Sequence, residues 1–252
     1  MAWFTDKFKW YQWYDYIRLK LNLSFEFDQK ATDILSNLLS KNHGFIETLY
    51  DLGKNYSKAI VVGAGPSLEE SHSILKQIKN CLIVSANGAT SFLLKSRIIP
   101  NIIVTDLDGL LKDIIKANRN GSMIIVHAHG DNIEKLLKYV PMLKNPLGST
   151  QVEPRPYVYN FGGFTDGDRG VFIVKALGLR VVGMIGMDLG QRIGKYSKYG
   201  VKIDRRVKIA KLEIAAKLLE WAASEIELYT LTPIAINIPK IRKISVQEFL
   251  KL

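Results

Sequence analysis

Two acidic residues follow an apolar run in a spacing that suits a divalent cation. Asp106 and Asp108 come directly after the run at 102–104 and are separated by one residue. Two carboxylates so close repel each other unless a cation lies between them, and Mg²⁺ commonly takes one or two carboxylates together with substrate phosphate oxygens. The pair therefore predicts a Mg²⁺ site that also holds phosphate. The structural alternative is a turn at Asp108 with Asp106 as a helix cap.

A glycine-rich turn follows the apolar run at 59–62 and opens a predicted helix. Small residues let the backbone approach a phosphate closely, and the first turn of a helix offers unpaired N–H groups. Leu68 and Ser85 stand where a dinucleotide-binding motif needs a small residue and an acid, which argues against NAD. A tight structural turn is the alternative. The predicted phosphate ligands of this turn are Gly63, Gly65, Pro66 and Ser67.

Further polar residues follow other apolar runs. Asn87 and Gly88 come after the run at 82–84 and could donate to phosphate or simply form a turn. His127 and His129 follow the run at 123–126, and we interpret them as phosphate or substrate contacts. Asp131 is either a further Mg²⁺ ligand or the cap of the next helix.

A second charged segment precedes a predicted helix at 171–177. In it, Arg169 could neutralise charge on a transferred phosphoryl group, while Asp166 or Asp168 orients substrate or binds metal. A purely structural Asp168 and Arg169 arrangement is the alternative. Lys195 begins a basic stretch and is a candidate phosphate ligand.

The elements that must position these residues alternate along the chain. Short apolar runs at 59–62, 82–84, 102–104, 123–126, 157–159, 181–185 and 226–229 predict buried strands, and helical patterns lie between several of them. This alternation predicts an α/β fold with a mainly parallel sheet, in which ligands bind beyond the carboxyl ends of the strands. Residues 1–55 show helical spacing and predict a small N-terminal subdomain, with an α/β catalytic domain over 56–252. We expect a loop or lid at 141–156, and a short strand or a helix at 240–252.

Composition narrows the class of protein. The chain has 252 residues, 47% of them hydrophobic, and a formal charge of +11. It has no membrane-spanning run and no signal-peptide pattern, so we expect a cytoplasmic protein. The single cysteine, Cys81, precedes the apolar residues Leu-Ile-Val, which indicates a buried strand residue and not a catalytic thiol. Much of the excess positive charge is concentrated in residues 192–211, which hold eight basic residues and one acid. Such a cluster suits a polyphosphate, RNA or a solvated helix face.

Six blocks of sequence, in this order and spacing, resemble the archaeal MptE-type 6-hydroxymethyl-7,8-dihydropterin pyrophosphokinases over residues 56–225. The blocks are Gly63-Ala-Gly-Pro-Ser-Leu68, Thr105-Asp-Leu-Asp-Gly109, His127-Ala-His-Gly-Asp131, Phe164-Thr-Asp-Gly-Asp-Arg169, Gly186-Met-Asp-Leu-Gly190 and Gly194-Lys-Tyr-Ser197. The resemblance implies a Rossmann-like sheet with helices on both faces, similar to that of the thiamine pyrophosphokinases. It also implies transfer of diphosphate from ATP to the hydroxymethyl group of the pterin, with release of AMP, in folate or tetrahydromethanopterin biosynthesis.

The resemblance also implies roles for individual residues. Asp106, Asp108 and Asp131 would hold Mg²⁺, and Arg169 with lysines would stabilise charge on the transferred group. His127 or His129 would assist deprotonation of the hydroxymethyl group. The pterin itself requires a buried carboxylate or amide and a stacking aromatic residue such as Phe161 or Phe164.

Two other functions remain open from the sequence. A Mg²⁺-dependent glycosyltransferase would use the same paired acids on a nucleotide sugar, and an RNA-binding protein would use the basic stretch at 192–211. For the preferred function we expect ATP and a pterin as partners, neither nucleic acid nor a membrane, and possible homo-oligomers.

Overall fold

The computed structural model describes residues 2–197 and 204–252, which form one parallel sheet covered by helices. The strands are β1 Lys58–Val62, β2 Leu82–Ala86, β3 Ile102–Thr105, β4 Met123–Ala128, β5 Leu147–Thr150, β6 Val158–Tyr159, β7 Val181–Ile185, β8 Glu227–Thr230 and β9 Arg242–Lys243. The helices are α1 Lys7–Leu21, α2 Phe25–Leu39, α3 Ile46–Lys54, α4 His72–Gln77, α5 Ala89–Lys95, α6 Leu111–Arg119, α7 Ile133–Tyr139, α8 Asp166–Ala176, α9 Arg205–Ala223 and α10 Val246–Lys251.

The strand order across the sheet is β6-β5-β4-β3-β2-β1-β7-β8-β9, and all neighbouring pairs of these strands are parallel. The predicted α/β fold with a parallel sheet and a helical N-terminal part is confirmed. The chain proceeds from β1 toward β6 in one direction, then returns to place β7 on the other side of β1. The boundary between β1 and β7 is therefore the switch point of the sheet, the position at which open α/β sheets bind ligands.

Apolar residues on both faces of the strands hold the helices in place. Val61 and Val84 face a core shared with α8 and α9, whereas Ile60 and Ile103 face cores on the other side. Residues on both faces are apolar because a parallel sheet is covered on both sides. In α8, Gly170 lies against Val61, so the start of this helix is close to the sheet.

The N-terminal helices pack into the same core as the sheet. Trp10 and Tyr14 of α1 are fully buried in the core that contains Val61. Caps fix the starts of these helices: Asp6 accepts a hydrogen bond from the amide of Lys9, and Ser24 does so from Phe27. The division of the chain at residues 55 and 56 stays a prediction.

Two segments differ from the sequence-based expectation. The expected loop or lid at 141–156 contains a buried strand, β5, in which only Leu147 has a large apolar side chain. Its sequence Leu-Gly-Ser-Thr lacks the apolar signature of a strand, and Gly148 is needed there because Val158 and Leu39 pack against it. The C-terminal segment contains both β9 and α10. Among the described residues, no helix is long and apolar enough to cross a membrane.

Candidate active site

A cavity of about 910 Å³ lies at the carboxyl ends of the central strands. Its wall includes the loops after β1, β2, β3, β4, β5 and β7, the first residues of α8, and parts of α2 and α9. The predicted site residues that line it are Gly63, Gly65, Pro66, Asn87, Gly88, Asp106, Asp108, His127, His129, Asp131 and Asp166. Ser67, Asp168, Arg169 and Lys195 are not among the lining residues.

Three acids from two elements line the cavity and influence one another electrostatically. Asp106 and Asp108 follow β3, and Asp166 begins α8. The amide of Asp108 donates to Asp106 Oδ1 at 3.0 Å, so the two residues share a tight turn in which Leu107 has a φ of 65°. Asp108 forms an ion pair with Lys135 of α7. Because α6 begins at Leu111 without a side-chain cap, capping of this helix is not the role of Asp106.

The electrostatics of this group favour a bound cation. Burial raises the pKa of Asp166 well above its usual range, and the nearby charges of Asp106 and Asp108 raise it further. Within residues 2–197 and 204–252, no three His, Cys, Asp or Glu side chains converge closely enough to hold a metal ion by themselves. Mg²⁺ typically completes its ligand shell with water and substrate phosphate. The donor set therefore fits Mg²⁺ held jointly by carboxylates and phosphate oxygens.

Asn87 orients the first of these acids. Its Nδ2 donates to Asp106 Oδ1 at 2.6 Å, and its Oδ1 accepts from Thr105 Oγ1 at 3.0 Å. The left-handed φ of 42° at Asn87 is one that asparagine tolerates better than most residues. Asn87 thus fixes the direction of the Asp106 carboxylate.

The glycine-rich turn packs tightly against the loop after β7. Gly63 donates to Ile185 and Gly65 to Gly186, with N–O distances of 2.8 and 2.7 Å. A side chain at Gly65 would come within 2.6 Å of the Gly186 carbonyl, so the approach of the two loops requires glycine. These amide groups are therefore used within the chain, and the turn shapes the cavity wall.

Asp188, in the loop after β7, occupies the start of the short 3-10 segment Pro66–Glu70. Its carboxylate accepts from the Ser67 amide at 3.0 Å and from the Ser67 hydroxyl at 2.9 Å. Ser67 is 7% exposed and is held by an acid of the same chain. A phosphate would have to displace Asp188 to reach these donors.

Arg169 is a fully buried cation behind the cavity. Its guanidinium donates to the carbonyls of Gly162 and Phe164 and to His127 Nε2, the last two at 3.0 Å. Burial lowers the pKa of Arg169 to about 10. Its Nε has no hydrogen-bond partner among the described residues. Asp166 and Asp106 lie close enough to favour its charged form, so Arg169 supplies positive potential beneath the acids.

His127 is held neutral next to this arginine. Burial, followed by the charge of Arg169, lowers its pKa well below the usual value. Because arginine can only donate, His127 Nε2 is the acceptor and Nδ1 carries the proton, which faces Ser149 Oγ at 3.1 Å. Neither ring nitrogen is available to accept a substrate proton in this arrangement.

His129 and Asp131 lie on the segment after β4. The amide of Asp131 donates to His129 Nδ1 at 3.3 Å, which leaves the ring proton on Nε2, 3.9 Å from Asp106 Oδ2. His129 is thus placed to donate toward Asp106. Asp131 is exposed at the rim of the cavity, and Asn132, rather than Asp131, precedes α7 as its N-cap residue.

Asp168 caps α8. Its carboxylate accepts from the amides of Phe164 and Thr165 at 2.6 and 2.8 Å and also from the Thr165 hydroxyl. The side chain is fully buried. The geometry matches the structural alternative for Asp168, which shapes the loop that carries Asp166.

The basic residues that line the cavity do not include Lys195, the phosphate ligand predicted from the sequence. Lys195 is exposed and does not line the cavity, whereas Arg192, Lys208 and Lys211 do. The part of the basic stretch at 198–203 lies outside the described residues. Lys208 and Lys211 are three residues apart and therefore lie on the same side of α9. The sequence does not show which side of this helix faces the cavity.

The N-terminal helices contribute cavity residues that no sequence motif indicates. Asp28 of α2 is 3% exposed and lines the cavity together with Gln151 and Phe27. In sequence, Asp28 resembles an ordinary acid in the first turn of a helix, so no local signal marks it. Of the two residues predicted to stack on the pterin, Phe164 lines the cavity, whereas Phe161 is buried against Phe4.

Comparison with known proteins identifies the family. Residues 33–194 match the family model described as "6-hydroxymethylpterin diphosphokinase MptE-like". The chain belongs to this MptE-like family. It is similar to three proteins named 6-hydroxymethyl-7,8-dihydropterin pyrophosphokinase, each 40% identical to it. They come from Methanothermobacter thermautotrophicus (84% of this chain, 93% of the relative), Pyrococcus furiosus (84% and 94%) and Methanocaldococcus jannaschii (88% and 98%).

Among solved structures, the MptE-like chain resembles the Maf glycosyltransferase from Magnetospirillum magneticum AMB-1. The TM-score is 0.53 at 16% identity, over 81% of this chain and 39% of that one. The chain thus spans about two fifths of the length of that structure. At this identity the likeness shows a shared fold.

Proposed function

We propose that this protein transfers the β,γ-diphosphate of ATP to the hydroxymethyl group of 6-hydroxymethyl-7,8-dihydropterin and releases AMP. The observation that carries the proposal is that Asp106, Asp108 and Asp166 line one large cavity, in a chain 40% identical to three pyrophosphokinases of that name. The product would serve folate or tetrahydromethanopterin biosynthesis.

In the proposed reaction the hydroxymethyl oxygen attacks the β-phosphorus of ATP. The bond from the β-phosphorus to the oxygen bridging it to the α-phosphate breaks, AMP leaves with that oxygen, and the hydroxyl proton is released. Both ring nitrogens of His127 are engaged, and His129 presents a donor toward Asp106. The proton therefore passes to a carboxylate or to water.

Asp106 and Asp108 would hold Mg²⁺, with Asp166 as the third acid. Asp166 is preferred to Asp131 because the charges of Asp106 and Asp108 act directly on it, whereas Asp131 is exposed at the rim. When bound, the ion would neutralise charge on the phosphates and orient them for in-line attack.

The cations of the site complete this arrangement. Arg192, Lys208 and Lys211 line the cavity and would bind the phosphates of ATP. Arg169 would act from beneath by favouring negative charge at the centre of the site. Because these described cations face the cavity, the local basic charge suits a polyphosphate better than RNA.

The test is AMP production by the purified protein from ATP, Mg²⁺ and 6-hydroxymethyl-7,8-dihydropterin. We expect Asp106→Ala and Asp108→Ala each to abolish turnover, with Asp51→Ala, an exposed acid paired with Lys54, as a matched control that retains it. No AMP from the wild-type protein, together with consumption of a nucleotide sugar, would refute the proposal in favour of a glycosyltransferase. Full turnover in both variants would refute the metal site.

A further inference from the structure

The cavity has two chemically different ends. One is lined by Gly63 to Pro66, after β1, and by residues of the loop from Met187 to Gly194, after β7. The other lies beyond β4 and β5, where Asp28, Phe27 and Gln151 line the wall. Since β3 stands between these strand pairs in the sheet, Asp106 and Asp108 lie between the two ends. A two-substrate reaction at these acids needs one substrate on each side.

Asp28 is a buried carboxylate held by neutral donors. Its Oδ2 accepts from Tyr14 Oη and Gln151 Nε2, both at 2.6 Å, and its Oδ1 accepts from the Gly130 amide at 2.7 Å. Across residues 2–197 and 204–252, no ion pair of Asp28 is found. The charge of Asp28 also acts on the buried guanidinium of Arg169 and favours its charged form, and the hydrogen bonds offset part of the cost of burying the carboxylate.

This carboxylate still has acceptor capacity, and Asp28 is one of the residues that line the cavity. An ionised carboxylate offers about four lone-pair sites, and the three donors above use three of them. The remaining site is on Oδ1, which receives one hydrogen bond. A ligand N–H donor at this end of the cavity would complete the set.

An exposed aromatic ring stands next to this acid. Phe27 is 60% exposed although it lines the cavity, and it packs against Gly130 through its Cβ. Val207 of α9, 43% exposed, lines the same cavity. Large apolar side chains at the rim of a polar cavity suit the face of a planar ring.

We propose that the α2 end of the cavity is the acceptor subsite, in which Asp28 accepts an N–H of the amino-substituted edge of a planar heterocycle and Phe27 packs on its face. This inference rests on the proposed function, which makes the heterocycle a dihydropterin. In a pterin the 2-amino group and the hydroxymethyl carbon lie at opposite ends of the bicyclic ring. Anchoring the amino edge at Asp28 therefore directs the hydroxymethyl group toward Asp106 and Asp108, and ATP takes the end lined by the loops after β1 and β7.

If Asp28 only connects segments of the fold and does not contact the ligand, its substitution has a different expected result. Asp28 connects α1, the segment after β4 and the loop after β5, so any substitution there lowers stability. A connector, however, has no reason to distinguish ligands by their amino group. Recognition of that group is what the experiment must measure.

The experiment compares binding of 6-hydroxymethylpterin with that of 6-hydroxymethyllumazine, which carries an oxo group in place of the 2-amino group. The wild-type protein should prefer the pterin, and Asp28→Asn should reduce that preference by about 10- to 100-fold, the range for a lost hydrogen bond to a charged group. The KM for ATP should not change. If Asp28→Asn weakens both ligands equally, Asp28 is a connector and the proposal is wrong.

A second pair of variants avoids the buried network. Phe27→Ala removes an exposed side chain and should weaken pterin binding by about 2- to 10-fold, as expected for loss of an aromatic contact. Phe8→Ala is the matched control, because Phe8 is 83% exposed on α1 and does not line the cavity. Equal pterin affinity in the two variants would overturn the placement of the ring.

Turnover separates the two proposals. A wild-type protein that forms no AMP from ATP and the pterin refutes the proposed function, and with it the dihydropterin as ligand. A protein that forms AMP while Asp28→Asn and Phe27→Ala keep wild-type pterin affinity refutes the acceptor subsite alone.

Discussion

Removing the side chain of Asn87 should weaken Mg²⁺ binding without destroying the fold. In Asn87→Gly the left-handed backbone is retained at no steric cost, and the hydrogen bonds to Asp106 Oδ1 and from Thr105 Oγ1 are lost. Partners that orient metal ligands typically contribute 10- to 100-fold in metal affinity or activity. We therefore expect the Mg²⁺ concentration for half-maximal AMP formation to rise by about 10- to 100-fold.

Asn101 provides a matched control on the same pair of strands. Its side chain also makes two hydrogen bonds, to Tyr56 Oη and from the Ile83 amide, but it precedes β3, at the opposite end from the acids. Each glycine variant should lose roughly 2–3 kcal/mol of unfolding free energy, from two hydrogen bonds and the entropy of glycine. Only Asn87→Gly should change the Mg²⁺ titration. The same Mg²⁺ dependence in both variants would refute the orienting role of Asn87.

Two further predictions concern the charges around the acids. The pKa of Asp166 is raised in the folded protein, so the folded state binds the carboxyl proton of Asp166 more tightly than the unfolded state does. The stability of the metal-free protein should therefore fall as the pH rises from the ordinary pKa of aspartate through the raised pKa of Asp166. Asp166→Asn should reduce this pH dependence of stability, raise stability at neutral pH and lower turnover. Measuring the free energy of unfolding at pH 5 and pH 8 in EDTA checks the prediction, and an unchanged pH dependence would contradict it. Arg169→Met should raise the pKa of His127, observable by NMR titration, because the arginine charge helps to lower it. It should also reduce stability by roughly 2–4 kcal/mol, since the Gly162 and Phe164 carbonyls lose a buried donor; wild-type stability and an unchanged His127 pKa would show that the buried contacts are unimportant.

Several features of the site could be predicted from local sequence because a parallel sheet gathers strand ends at one edge. Asp106 and Asp108 follow an apolar run, and so do Asn87 and His129, which places all four on the same cavity once the strands are parallel. The helix that begins at Asp166 brings its first residue to that edge as well. Order along the chain and strand-end position were sufficient for this part.

Other features depend on contacts between distant segments. β5 is a strand because β4 and β6 pair with it, although Gly148, Ser149 and Thr150 carry no apolar pattern. The basic stretch predicts Lys195 as a phosphate ligand, but packing of α9 puts Lys208 and Lys211 at the cavity instead. Charge patterns in sequence do not specify which side of a helix meets a neighbour.

The sequence by itself determined the parallel α/β fold and the acids at its centre, because apolar periodicity and strand-end position are local properties. Only the tertiary structure decided that Asp188 accepts hydrogen bonds from Ser67 and that Asp28 of an N-terminal helix lines the cavity. These pairs are 121 residues apart for Ser67 and Asp188, and 123 for Asp28 and Gln151. Packing of the helices and loops against the sheet creates such contacts, and no local pattern encodes them.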